Sequence, residues 1–239
     1  MKRALVTGGS GDLGGAIARR LAREGLHVVV HANARIEAAQ AVVDAIRADG
    51  GSAEAVAFDV TDAQASAAAL ERLLEAGTIQ VLVNNAGIHD DAVFPGMRAE
   101  QWHRVIDVSL HGFFHVTQPL TMPMARARWG RIISISSVAA VMGNRGQANY
   151  AAAKAALHGA SKSLSLELAS RGITVNVVAP GIIASAMADK VFDKDAIARM
   201  VPARRAGKAD EVAALVAFLA GEDAGYISGQ VISINGGMA

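Results

Sequence analysis

The chain has 239 residues, 52% of them hydrophobic and 19% charged, so it can fill one large α/β core and does not read as a disordered segment. Its formal net charge of +1 gives no electrostatic case for nucleic acid or an anionic membrane surface. With no cysteine in the chain, neither disulfides nor thiolate chemistry is open to it. The opening MKRALVTGGSG is basic, but its apolar run stops at glycines after about four residues, too few for a signal peptide. No apolar stretch reaches the ~20 residues of a membrane span. The expectation is a soluble, cytoplasmic protein with neither membrane nor nucleic acid as partner.

Residues 3–7 (RALVT) read as a short buried strand, followed by GGSGDLGG and a segment of helical periodicity with Ile17 and Leu21. Strand, glycine loop and helix form the context in which Gly9-x-Gly11-x-x-Gly14 carries meaning as a dinucleotide fingerprint. Glycines let the backbone approach a pyrophosphate, and the helix N-terminus attracts its charge. A second strand, LHVVVHA at 26–32, ends on His31, Ala32 and Asn33. A carboxylate there would take the adenosine ribose hydroxyls. None is present, and Arg35 follows as a partner for a 2′-phosphate, which favours NADP(H) over NAD(H).

Ile36 to Ala48 reads as a helix closed by Gly50-Gly51, and Glu54 to Val60 as a third strand ending in Asp59-Val60. Thr61 to Ala76 is an alanine-rich helix with Thr61 or Asp62 as its cap. Ile79 to Val83 is the fourth strand, with Asn84-Asn85-Ala86-Gly87 at its carboxyl end, where ligands sit in open α/β sheets. Glu100 to Ala127 reads as one long or kinked helix. It carries His103, Asp107, His111 and His115 at spacing four, which suits chelation, but a solvated or subunit-interface face is the stronger reading and no metal is expected.

Gly130 to Ser137 is the fifth strand, Tyr150 to Ser170 a long helix, and Ile173 to Ala179 the sixth strand, closed by Pro180-Gly181. Residues 182–208 look irregular, and a segment of that length is often a substrate lid. Asp210 to Ala220 is a helix and Gly229 to Asn235 a seventh strand. Strands and helices alternate throughout, so the sheet should be parallel and doubly wound.

The chemistry centres on Tyr150 and Lys154, spaced i and i+4 on one helix face. A tyrosine of ordinary pKa, about 10, is a reluctant acid, and an ammonium one turn away should lower it. The pair could then exchange a proton with a substrate oxygen, held in place by the hydroxyl of Ser137. Small neighbours, Ala148 and Ala151 to Ala153, leave room for close approach.

Together these segments resemble the short-chain dehydrogenase/reductase family, from Arg3 to Met238. The resemblance rests on TGGSGDLG at 7–14, DV at 59–60, NNAG at 84–87, Ser137, YAAAK at 150–154 and PG at 180–181. Within the family, GNRGQANYAAAKAAL, SRGITVNVVAPG and SGQVISINGGM look most like the 3-oxoacyl-[acyl-carrier-protein] reductases, which are NADPH-dependent and usually tetrameric. The resemblance implies a single Rossmann-type domain over 1–239 with a seven-stranded parallel sheet, a substrate lid at 184–208 and a homotetramer. It implies NADPH-dependent reduction of a 3-oxoacyl thioester, with Ser137 holding the carbonyl, Tyr150 donating the proton, and Lys154 binding the nicotinamide ribose.

The implied cofactor set is Gly8, Gly9, Ser10, Gly11, Leu13, Gly14, Asn33, Arg35, Asp59, Val60, Asn85, Ala86, Gly87, Tyr150, Lys154, Pro180, Gly181 and Ile183. Arg128 and Arg171 match basic positions where related reductases dock the acyl carrier protein. Two positions depart from the family. Asp12 replaces a loop glycine, and Gly11 before it leaves room for Asp12 in the first helical turn, where negative charge is favoured. Ser109 replaces an asparagine thought to hold, chiefly through its backbone carbonyl, a water linking Lys154 to solvent. A serine keeps that carbonyl, so slower or unchanged catalysis is expected rather than loss. The alternatives are a reductase of another carbonyl (acetoacetyl-CoA, a steroid or a sugar) and a dinucleotide-binding subunit without turnover.

Overall fold

The structure is a computed structural model that describes residues 1–185 and 193–239. Its strands are β1 (Arg3–Val6), β2 (His27–Ala32), β3 (Ser52–Ala57), β4 (Val81–Asn84), β5 (Gly130–Ile135), β6 (Ile173–Pro180) and β7 (Val231–Ile234). They form one seven-stranded sheet in the order β3-β2-β1-β4-β5-β6-β7, and every pairing is parallel. The helices between them are α1 (Asp12–Arg23), α2 (Ile36–Ala48), α3 (Ala63–Glu75), α4 (Ala99–Ile106), α5 (Gly112–Ala127), α6 (Ala139–Met142), α7 (Ala148–Leu168), α8 (Lys194–Met200) and α9 (Ala209–Ala220).

The central strands are buried on both faces, which is why they read as unbroken apolar runs. Alternation along each strand divides the core in two. Ala4, Val6, Val28 and Val30 pack with Ile17, Leu21, Val43 and Val216 under α1, α2 and α9. Leu5, Val29, Leu82 and Ile132 face the other way, onto Leu70 of α3 and Val116, Leu120 and Met124 of α5. The winding reverses between β1 and β4, and at such a switch point the loops at the strands' carboxyl ends part to leave a crevice.

The expected elements are present, with shifts that have local causes. β3 ends at Ala57 rather than Val60 because its partner ends: Ala57 lies opposite Ala32, the last residue of β2. The Phe58 N–H donates to the Ala32 carbonyl at 3.2 Å, and the chain then turns. Asp62, not Thr61, caps α3, accepting from the N–H groups of Gln64 and Ala65. The long helix is broken in the middle, where a π-turn over Asp107–His111 joins α4 to α5. Wider i→i+5 bonding there rotates every later side chain about the axis.

The segment read as a lid falls partly on residues 186–192, which lie outside the described residues. Its two ends are held together: the Ala184 N–H donates to the Gly207 carbonyl at 2.8 Å, and the Gly207 N–H to that of Ile182 at 2.9 Å. Among the described residues, no helix is long and apolar enough to cross a membrane.

Candidate active site

The loop after β1 has no room for a side chain at Gly8 or Gly14. Gly8 sits at φ +62°, in the left-handed region, and a Cβ on Gly14 would stand 2.3 Å from the Gly8 carbonyl oxygen. That approach is the physical reason for glycine at both positions. Gly11 is the extended residue before α1 and Asp12 its first residue. The carboxylate is exposed in the first helical turn, so this departure from the glycine pattern keeps the course of the loop.

Thr7 ties the loop to the end of β4. Its hydroxyl accepts from the N–H groups of Asn85 and Ala86, each at 3.0 Å. The Asn85 amide then donates to the carbonyls of Thr7 and Gly8 at 3.0 and 3.2 Å. Between loop, strand end and residues 183–185 lies a cavity of about 360 Å³, lined by Gly8, Gly11, Asp12, Leu13, Gly14, Asn85, Ala86, Gly87 and Ile183, with Asp12 its one charged side chain among the described residues. A second cavity, about 230 Å³, adjoins it through Leu13, Asn85, Gly87 and Ile183, and holds Ser137, Tyr150, Lys154, Pro180 and Gly181.

In that second cavity Ser137 follows β5, and Tyr150 and Lys154 lie one turn apart near the start of α7. Lys154 is 3% exposed, and its ammonium donates to the Ile135 carbonyl at 2.9 Å. Burial lowers its pKa to about 8. The Tyr150 phenol is pushed above its ordinary value, first by burial and then by the nearby Asp91 carboxylate, while a hydrogen bond with Ser137 works the other way. This reverses the expectation that Lys154 lowers it. The ammonium is turned to Ile135, 5.8 Å from the centre of the tyrosine ring. The resulting phenol stays protonated at neutral pH, as suits a donor to an oxygen beside Ser137.

Ser109 sits on the π-turn, buried, and among the described residues its hydroxyl has no hydrogen-bond partner. It lines a small cavity of about 10 Å³ with Asn84, Ala86 and Val60. Gly87 is the spacer here: a Cβ on it would stand 2.8 Å from Lys154 Nζ and 3.6 Å from Ser109 Oγ.

Other expected site residues lie off the two larger cavities. Gly9 packs its backbone on Val30, and Ser10 continues the loop without lining either cavity. Asn33 and Arg35 are exposed beyond β2. The Asp59 carboxylate accepts from the N–H and hydroxyl of Thr61, both at 2.8 Å. The histidine stripe is split: His111 pairs with Asp107 at 2.9 Å, and His115 donates to the Val60 carbonyl at 2.9 Å. Among the described residues no three His, Cys, Asp or Glu side chains are placed to share a metal ion.

His89, which lines the second cavity, and its neighbour Asp91 are not among the residues the sequence singles out. His89 lies 3.4 Å from Asp91, whose other oxygen accepts from Gln147 at 2.9 Å. Their one sequence signal is position, just beyond Asn84-Asn85-Ala86-Gly87.

Burying Lys154 costs stability, and the cost depends on pH. Its folded pKa lies below the unfolded one, so the penalty is fully present below about pH 8 and is relieved as pH rises towards 10.5. Lys154→Met should therefore raise unfolding stability at pH 7 by about 1–3 kcal/mol, less than the full shift because the bond to Ile135 is lost too. Chemical denaturation at pH 7 and pH 9 checks this, and the gain should be smaller at the higher pH.

Similarity to known proteins agrees with this geometry. Residues 2–196 match the short chain dehydrogenase family model. The chain is 47% identical over 236 residues to the "3-oxoacyl-[acyl-carrier-protein] reductase FabG" of Aggregatibacter actinomycetemcomitans, covering 98% of each chain. It is 46% identical over 240 residues to the proteins of the same name from Staphylococcus aureus (strain Mu50), covering 99% and 98% of the two chains, and from Escherichia coli (strain K12), covering 99% and 97%. With its glycine loop, parallel sheet and Ser137, Tyr150 and Lys154 in one cavity, the chain belongs to the short-chain dehydrogenase family.

Proposed function

We propose that this protein reduces the C3 carbonyl of a 3-oxoacyl thioester carried on acyl carrier protein, using NADPH, and releases the 3-hydroxyacyl thioester. The observation that carries the reading is the convergence of Ser137, Tyr150 and Lys154 in a cavity continuous with the glycine-lined one. Near-full-length relatives that bear the reductase name support it. The glycine cradle also fits a dinucleotide: Gly8, Gly11 and Gly14 present bare backbone at the start of α1, where a pyrophosphate is favoured.

The bound cofactor supplies the hydride to C3. The Ser137 hydroxyl holds the carbonyl oxygen, and the Tyr150 phenol gives that oxygen its proton. Lys154 holds the nicotinamide ribose, and its ammonium stabilises the tyrosinate left behind. Burial raises the phenol pKa, which keeps the proton in place until the oxygen acquires charge.

Arg35 and Asn33 take the 2′-phosphate from the open side of β2. The assembly is a cytoplasmic homotetramer, and Phe114, Met122 and Leu166, exposed by 61%, 58% and 84%, are apolar surface that subunit contacts would cover. Arg128 and Arg171 are the docking residues for the acidic carrier. Arg128 ends α5 just before β5, and its guanidinium donates to the Ser170 carbonyl at 3.4 Å, which places it beside Arg171. Both precede their strands, whereas the pocket lies beyond the carboxyl ends. At about 3.3 Å per residue, strands of this length put ~20–25 Å between them.

Three outcomes test this reading. Tyr150→Phe keeps the ring and removes the proton, so turnover should fall at least about 10²-fold with cofactor affinity nearly intact. Near-normal turnover contradicts the mechanism. Arg35→Ala should erode the preference for NADPH over NADH through KM, and a wild-type preference for NADH in kcat/KM refutes the assignment. Arg128→Glu with Arg171→Glu should raise KM for a carrier-bound substrate, with a weaker effect at high salt, and leave a short CoA thioester unaffected. Equal damage to both substrates removes the docking role.

A further inference from the structure

The residues after Val30 point in different directions. Asn33 and Arg35 face solvent, but His31 is turned inward and is 2% exposed. Both of its ring nitrogens are engaged. Nδ1 accepts from the Gly8 N–H at 3.0 Å, and Nε2 lies 2.8 Å from the Phe58 carbonyl. A carbonyl can only accept, so Nε2 carries the hydrogen and the ring is the neutral Nε2–H tautomer. Its face also lies against Phe58, with ring centroids 4.2 Å apart.

We propose that His31 is a positioning residue for cofactor binding, a cross-tie that sets the spacing between the glycine loop at Gly8 and the β3 end at Phe58, Asp59 and Val60. Gly8 is otherwise held from the side of the crevice. Its carbonyl accepts from the Gly11 N–H at 3.2 Å and from the Asn85 amide at 3.2 Å. His31 supplies the opposing hold, from the β2 side, on the one residue of the loop that combines positive φ with contact to Gly14.

The two ends of the tie flank the space that the adenosine half of a dinucleotide would enter, since the loop faces the pyrophosphate and the end of β3 faces the adenine. Without the tie, the Gly8 N–H and the Phe58 carbonyl would both lose their protein partner, and a loop with so many glycines has the freedom to move. Burial lowers the histidine pKa to about 4, so the accepting lone pair on Nδ1 is kept at neutral pH.

This inference rests on the dinucleotide reading of the loop, and the experiment separates the two. Asparagine and leucine are close in shape. The asparagine side-chain oxygen can take the place of Nδ1 as acceptor for the Gly8 N–H, and leucine cannot. His31→Asn and His31→Leu are compared with wild type by NADPH titration (protein fluorescence) and by steady-state kinetics at saturating NADPH. Leucine should weaken NADPH binding about tenfold, the scale of one lost hydrogen bond. Asparagine should restore most of that affinity, and kcat at saturation should be unchanged in both. Equal NADPH affinity in the two variants, or a kcat that falls along with affinity, overturns the proposal. So does a leucine variant that no longer melts cooperatively while asparagine binds no better than it does, because the role is then structural. If wild type itself binds no NADPH, the dinucleotide reading fails and His31 loses this role with it.

Discussion

The whole site depends on one close approach of backbone to backbone. Gly14, in the first turn of α1, lies against the carbonyl of Gly8, at a distance no Cβ would tolerate. The approach lets α1 start directly beneath the loop and brings its N-terminus to the crevice between β1 and β4. Thr7 and Asn85 fasten the loop to the far side of that crevice through four hydrogen bonds. Sheet topology opens the crevice, and the missing side chains keep it open. The same bonds fix Asn85 and Ala86, and the next residue, Gly87, lies close against Lys154 and Ser109.

Function and stability are opposed at the second cavity. A lysine that is 3% exposed destabilises the fold, offset only in part by its bond to the Ile135 carbonyl, and burial keeps the Tyr150 phenol protonated. The proposed chemistry uses both: one group that holds its proton at neutral pH, and a second whose charge waits for the negative charge left when the first lets go. The π-turn belongs with them. It interrupts an otherwise regular helix and places the Ser109 hydroxyl, without a partner among the described residues, beside Gly87. Local irregularity of this kind gathers at functional sites rather than in cores.

Much of this was legible before any coordinates. Apolar runs such as VVV at 28–30 and ISI at 133–135 are what a strand buried on both faces requires, and glycine spacing marks the loop, although the close approach falls at Gly8 and Gly14 while Gly9 packs on Val30. What local pattern could not supply came from elements distant in sequence. β3 stops where β2 stops, a fact written in the partner strand. The direction of the Tyr150 shift depends on where Lys154 points, and that is decided by the Ile135 carbonyl. His31 reads as one more residue of a strand end until Gly8 and Phe58 are seen on either side of it. Arg128 and Arg171 are far apart in sequence yet neighbours in space, at the opposite end of the sheet from the pocket.

The central claim is that this cavity transfers a hydride to C3 and a proton to the oxygen on it. The most direct measurement is the fate of the label when NADPH deuterated at the transferring position of C4 meets a carrier-bound 3-oxoacyl thioester. The account predicts a 3-hydroxyacyl product with one deuterium, carbon-bound at C3, and a hydroxyl hydrogen drawn from solvent. A product with no deuterium at C3, or a protein that binds NADPH and turns over no 3-oxoacyl thioester, would contradict it.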